Sequence, residues 1–202
     1  MGNITEELAR VERSVATDGE VRRIAMSRRF EASRERVWAA LTEPERLAQW
    51  FLPVTGDLQE GGVYQLEGNA SGDILRCHAP AEFRLTWHFG EPQGLSEVTV
   101  ALSGDDAAEF AMEHAAEFPA AMWDQYGAGA VGVGWDGALY SLVRYLEDGV
   151  ALDPDQWMTS EDALRLNELS AAAWGEAQRA DGASDEAVER AVRETIAFYA
   201  GD

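Results

Sequence analysis

The segment Asp136–Glu147, DGALYSLVRYLE, limits the fold more than any other stretch of the chain. Its apolar residues Leu139, Leu142, Val143 and Leu146 stand at i, i+3, i+4 and i+7, which lays one continuous apolar stripe along a helix of about three turns. Such a stripe has to be covered. The segments before it are short, alternate in polarity and are separated by turn residues, as antiparallel strands do. A curved antiparallel sheet closing over one long helix buries both surfaces, so the expected class is α+β.

Taken in order, Ile4, Leu8, Val11 and Val15 fit an accessory N-terminal helix ending before Asp18-Gly19. Val21 to Phe30 fits a strand with Ile24, Met26 and Phe30 on one face. Ser33 is placed to cap a helix carrying Val37, Trp38 and Leu41, and Thr42-x-x-Glu45 with Pro44 forms a capping-box signature for a second helix through Trp50. From Gly56 onward the turn residues separate strands. Alternation then predicts one face of Tyr64, Leu66, Leu75, Cys77, Phe83, Leu85, Trp87, Phe89, Val98, Val100, Leu102, Phe110 and Met112. The opposite, wet face takes Gln65, Glu67, Arg76, His78, Arg84, His88, Thr99 and Glu113.

Residues 118–134, rich in Gly, Ala and aromatic side chains, are expected to form a long binding or mobile loop. Beyond Gly149 an acidic helical extension follows. Thr159 or Ser160 caps a helix with Leu166, Leu169 and Ala173, Gly182 ends it, and Ser184 caps another with Val188, Val192, Ile196 and Tyr199. These narrow stripes require cover from the main domain or from a second copy, which would make a homodimer through the C-terminal helices. The expected divisions are an accessory helix over 1–18, a main domain over 19–149 and the extension over 150–202.

Charge narrows the function. The net charge is −21 and there is no lysine; residues 1–50 balance nine Arg against nine acids, so the excess lies beyond them. Nucleic acid and anionic membrane are bound through Lys and Arg that release counterions, so neither is expected as a partner. The N-terminus lacks a signal-peptide pattern and no apolar run could span a bilayer, which with the single Cys77 suggests a soluble, cytoplasmic protein.

The ordered matches Arg28-Arg29-Phe30-Glu31-Ala32, Val37 to Thr42, Pro44 to Phe51, Gly61-Gly62-Val63-Tyr64, Arg84-Leu85-Thr86-Trp87, His114 and Gly134-Trp135 resemble the family named for the activator of Hsp90 ATPase homologue 1, in the START-like superfamily. The resemblance covers about residues 21–147. It implies a helix-grip fold with an apolar cavity between sheet and core helix, and no single activity, since the superfamily includes ligand binders and cyclases. The namesake co-chaperone has a separate Hsp90-gripping N-terminal domain, for which the short N-terminal segment here is no substitute. A stress-response or protein-interaction role stands as the alternative to ligand binding.

On that basis a small apolar or aromatic molecule is the expected partner, with Tyr64, Trp87, Phe110, Met112, His114, Leu139 and Val143 as walls and Trp50, Trp123 and Trp135 near the mouth. Each aromatic can equally be plain core. His114 continues the inward parity of Phe110 and Met112; it is a core histidine bonded to backbone, a polar handle for a ligand, or the weak catalytic candidate of a cyclase-like or hydrolase-like enzyme. No cofactor and no metal are expected. Cys77, His78, His88 and His114 alternate between faces, so three do not converge. Gly127-x-Gly129-x-x-Gly132 matches a dinucleotide fingerprint, but the strand-helix-strand unit it needs is missing, and a hinge before Trp135 accounts for it.

Overall fold

A computed structural model describes residues 3–92 and 94–201. The chain runs α1 (Ile4–Ala9), β1 (Glu12–Asp18), β2 (Val21–Phe30), α2 (Arg34–Thr42), α3 (Pro44–Trp50), β3 (Val54–Gly56), β4 (Val63–Leu66), β5 (Ser71–His78), β6 (Glu82–Thr86), β7 (Ser96–Ser103) and β8 (Ala108–Ala116). Then follow α4 (Ala120–Tyr126), α5 (Gly129–Val143), a π-helical turn (Arg144–Asp148), α6 (Pro154–Met158), α7 (Glu161–Ala180) and α8 (Asp185–Ala200). The strands form one curved, open, antiparallel sheet in the order β1-β2-β8-β7-β6-β5-β4-β3. This is the α+β, START-like helix-grip architecture expected from the sequence. Two units make up the chain: Ser27–Glu117 with Ser141–Ala151, and Met1–Met26 with Phe118–Tyr140 and Leu152–Asp202. β2 and α5 contribute residues to both.

In the first unit, β7 and β8 set the register of the buried face. Val98 lies opposite His114, Val100 opposite Met112 and Leu102 opposite Phe110, and all six are buried. Thr99 and Glu113 pair on the other face, as alternation requires. Phe30 of β2 meets Phe110 edge to face at 6.0 Å. Ser33 caps α2 through the Arg36 N–H. The expected capping box does not form. Thr42 is the last residue of α2, where its hydroxyl donates to the Trp38 carbonyl at 2.8 Å, and Glu43 takes the N-cap position of α3 without a side-chain cap bond, with Pro44 in the first turn. Trp50 is buried at the end of α3 and its indole donates to the Ala40 carbonyl of α2 at 2.8 Å. Ser141 in turn donates to the Trp50 carbonyl at 2.6 Å.

Alternation fails in β5. A bulge between Ile74 and Arg76 lets Ile74 pair with Leu85 while Cys77 pairs with Phe83, so Ile74 takes the buried position expected for Leu75, which is exposed along with Cys77. Phe89 lies past β6 and is also exposed. The turn expected over 90–94 includes Gln93, which lies outside the described residues.

The second unit differs most from the sequence reading. Only Ile4 to Ala9 is helical; Glu12–Asp18 is a strand, with Val15 buried and Gly19 at φ 62° following it. Apolar spacing of i, i+4, i+7 and i+11 read as one helix because Val11 and Val15 happen to continue it. The expected hinge is also absent: residues 120–126 are helix, and α5 begins at Gly129, seven residues before Asp136. Those glycines serve close packing. A Cβ on Gly132 would stand 2.5 Å from the Trp174 ring, and one on Gly129 would stand 2.8 Å from Thr195 Oγ1. Among the described residues no strand follows α5, consistent with rejecting the dinucleotide fingerprint.

Ser160 and Ser184 cap α7 and α8 as expected. The buried face of α7 is built from Leu166, Ser170, Ala171 and Trp174, the last fully enclosed, and that of α8 from Val188, Ala191 and Thr195. Val192, Ile196 and Tyr199, expected in the stripe, are half-buried. Ile4, Leu8, Tyr140 and Leu166 form one apolar cluster, with Trp157 stacked on Tyr140 at 5.3 Å. Beside it Asp136 is buried. Its carboxylate accepts from Arg13 Nε at 3.0 Å and Nη2 at 2.8 Å, from Trp174 Nε1 at 3.0 Å and from the Ser170 hydroxyl at 2.5 Å. Among the described residues no helix is long and apolar enough to cross a membrane.

Candidate functional site

Of the candidate residues, Tyr64, Trp87, Phe110, Met112, His114 and Val143 belong to the sheet unit. Trp123, Trp135 and Leu139 belong to the other. There Trp123 stacks on Phe118 at 5.7 Å beneath the Arg22 guanidinium, Leu139 is buried and Trp135 is half-buried.

Within the sheet unit a polar chain crosses the apolar face. His114 Nε2 lies 3.0 Å from Ser96 Oγ, and the Ser96 hydroxyl donates to the Trp87 carbonyl at 2.5 Å. A hydroxyl has one hydrogen. Because Ser96 directs it to Trp87, the hydrogen between Ser96 and His114 is on the imidazole, which fixes the Nε2–H tautomer. Burial, and after it the charge of His88, lowers the His114 pKa to about 4, so the ring is neutral at pH 7. Next to this chain the Tyr64 and Trp87 rings lie 6.3 Å apart, and the Tyr64 hydroxyl donates to the Thr86 carbonyl at 2.7 Å. Burial raises the Tyr64 pKa, so the phenol keeps its proton. The face thus offers aromatic surface and a few oriented, uncharged polar groups.

Ser96 was absent from the sequence reading, although it shares the parity of Val98, Val100 and Leu102. Arg28 was missed in the same way. It continues the run Ile24, Met26, Phe30 and is buried, its guanidinium 4.8 Å from the Phe30 ring and 3.2 Å from Glu147 Oε1. Arg36 donates to the Leu146 carbonyl at 2.6 Å, so two arginines grip the π-helical turn. Among the described residues no cluster of three or more His, Cys, Asp or Glu could hold a metal ion.

A curved antiparallel sheet with two short helices after its long strand, and a helix ending in a turn gripped by that strand and the first short helix, define a START-like helix-grip protein. The model of the family described as Activator of Hsp90 ATPase homolog 1-like protein matches residues 31–147, and the chain belongs to that family. CalU16 from Micromonospora echinospora is similar in crystal form (34% identity, TM-score 0.62, 81% of this chain and 98% of that one) and in solution (32%, 0.69, 85% and 97%). The dimeric Aha1 from Colwellia psychrerythraea shares the fold at 18% identity, with TM-score 0.52 over 63% of this chain and 97% of its own. DynU16, from the dynemicin biosynthetic locus, does so at 22%, with TM-score 0.53 over 65% of this chain and 49% of its own. No curated protein matches.

Proposed function

We propose that the chain is a non-catalytic START-like module that holds one small apolar or aromatic molecule against the His114 face of its sheet. One observation carries this reading: a buried, neutral imidazole, already hydrogen-bonded to Ser96, stands on the same strand face as Met112 and Phe110 and shares its Ser96 partner with the backbone of Trp87. Sites for small apolar ligands combine such surface with a few placed polar groups. A general base works best with a pKa near the working pH. With its pKa at about 4, His114 is a poor base at neutral pH, which favours a binding role over acid-base catalysis.

The reading is tested with the neutral fluorescent probe N-phenyl-1-naphthylamine. Titration into the full chain should give saturable 1:1 binding in the micromolar range, displaced by neutral polycyclic aromatics and weakened roughly tenfold or more by Trp87→Ala, a loss of about 1.4 kcal/mol. Binding that never saturates, or that is indifferent to Trp87→Ala and His114→Ala, would remove the proposal.

A further inference from the structure

Between α7 and α8 lies an open groove of about 430 Å³. Its floor includes the exposed Ala172 and the half-buried Val192 and Ile196, and Glu189 and Arg193 stand exposed on the α8 rim. The α7 rim carries Glu176 and Arg179, but Arg179 is held by Glu176 and by Asp185, the latter at 2.7 Å. Arg193 contacts only the exposed neighbour Glu194 at 3.3 Å among the ion pairs described, an arrangement worth little in water. The α8 rim therefore presents one acid and one base, four residues apart, beside a half-buried apolar strip.

We propose that this groove is the contact through which two copies of the chain associate, α8 packing antiparallel on α8 of the second copy across a two-fold axis near Val192. Such an axis sets Val192 against its counterpart and places Glu189 opposite the second copy's Arg193, twice. The rim charges select this occupant. A basic helix would meet Arg193 and Arg179, and an acidic one would meet Glu189 and Glu176. The reversed α8 rim carries the complementary order. Two chains of net charge −21 repel over most of their surfaces, so a locally balanced rim is what permits contact at all. α8 has 16 residues and is thus about 24 Å long, which makes the interface small and the dimer weak, on the order of micromolar.

Sedimentation velocity of the full chain over about 1 to 200 µM reads the association directly. A reversible dimer is expected, weakened about tenfold or more by Glu189→Arg or by Arg193→Glu alone and restored by the two together, because the double reversal recreates both pairs. Both side chains are exposed, and far-UV circular dichroism checks that each variant keeps the parent fold. Ile196→Lys tests the floor separately and should abolish the dimer. A monomer at every concentration, a dimer indifferent to the single reversals, or a double variant no better than the singles overturns the proposal. None of these results bears on probe binding at the His114 face.

Discussion

His114 carries the clearest pH signature in the molecule. An unfolded chain takes up a proton near the ordinary histidine value of 6.5, whereas the folded chain does so only near 4. Between those values the unfolded state binds more protons, so this residue's contribution is complete above pH 6.5 and is lost as pH falls to 4. The loss amounts to about 3 kcal/mol. Urea midpoints at pH 7 and pH 4.5 should therefore converge more in His114→Phe than in the parent; equal pH slopes would refute the assignment. Asp136 gives a second residue-scale test. Asp136→Ala leaves the nearly enclosed Arg13 guanidinium without its counter-charge and should cost about 3–5 kcal/mol in urea unfolding. Replacing the pair together, Arg13→Met with Asp136→Leu, should cost far less, since no buried charge is left behind.

Legibility also differed residue by residue. His114 was placed on the buried face because Phe110, Met112 and His114 alternate without interruption and the register with Val98, Val100 and Leu102 is regular. Ser96 and Arg28 obey the same parity, yet residue type argued against turning them inward; the half-buried Ser96 is met by the Trp87 carbonyl and the buried Arg28 by the Glu147 carboxylate, partners that polarity alone does not display. Leu75 was misplaced because a bulge leaves no mark in polarity alone.

At the scale of elements, α5 contrasts two uses of glycine. In an ordinary helix interior Gly→Ala stabilises by up to about 1 kcal/mol. At Gly137, where a Cβ would meet nothing within 4 Å, Gly137→Ala should give that gain. Gly132→Ala should instead destabilise by about 1–3 kcal/mol, because the new methyl group would overlap the rigid Trp174 ring. Thermal unfolding of the two variants side by side decides the point, and a stabilised Gly132→Ala would contradict the close packing. The same feature explains the misread hinge: glycines that lower helix propensity are what let α5 approach α7 and α8, so local preference and tertiary packing point in opposite directions. β1 was hidden for a related reason, since valines suit a strand as well as a helix stripe.

For the whole molecule, charge dominates the response to salt. A net charge of −21 repels itself, and raising ionic strength shortens the Debye length from about 30 Å at 0.01 M to about 8 Å at 0.15 M. The unfolding temperature should rise by several degrees over that range in scanning calorimetry; a fall would mean that exposed ion pairs outweigh the general repulsion.

The sequence alone determined the class of fold, because alternating segments, capping serines and the stripe ending at Leu146 are local patterns that admit few arrangements, and it determined the family through motifs in a fixed order. Tertiary structure decided the rest. Which polar groups could be buried, as with Asp136 and Arg13 or Arg28 and Glu147, depended on partners far away in the chain, and where helices begin depended on what a glycine allowed another helix to approach. Periodicity says which side of an element seeks cover, whereas only the folded chain supplies the particular atom that provides it.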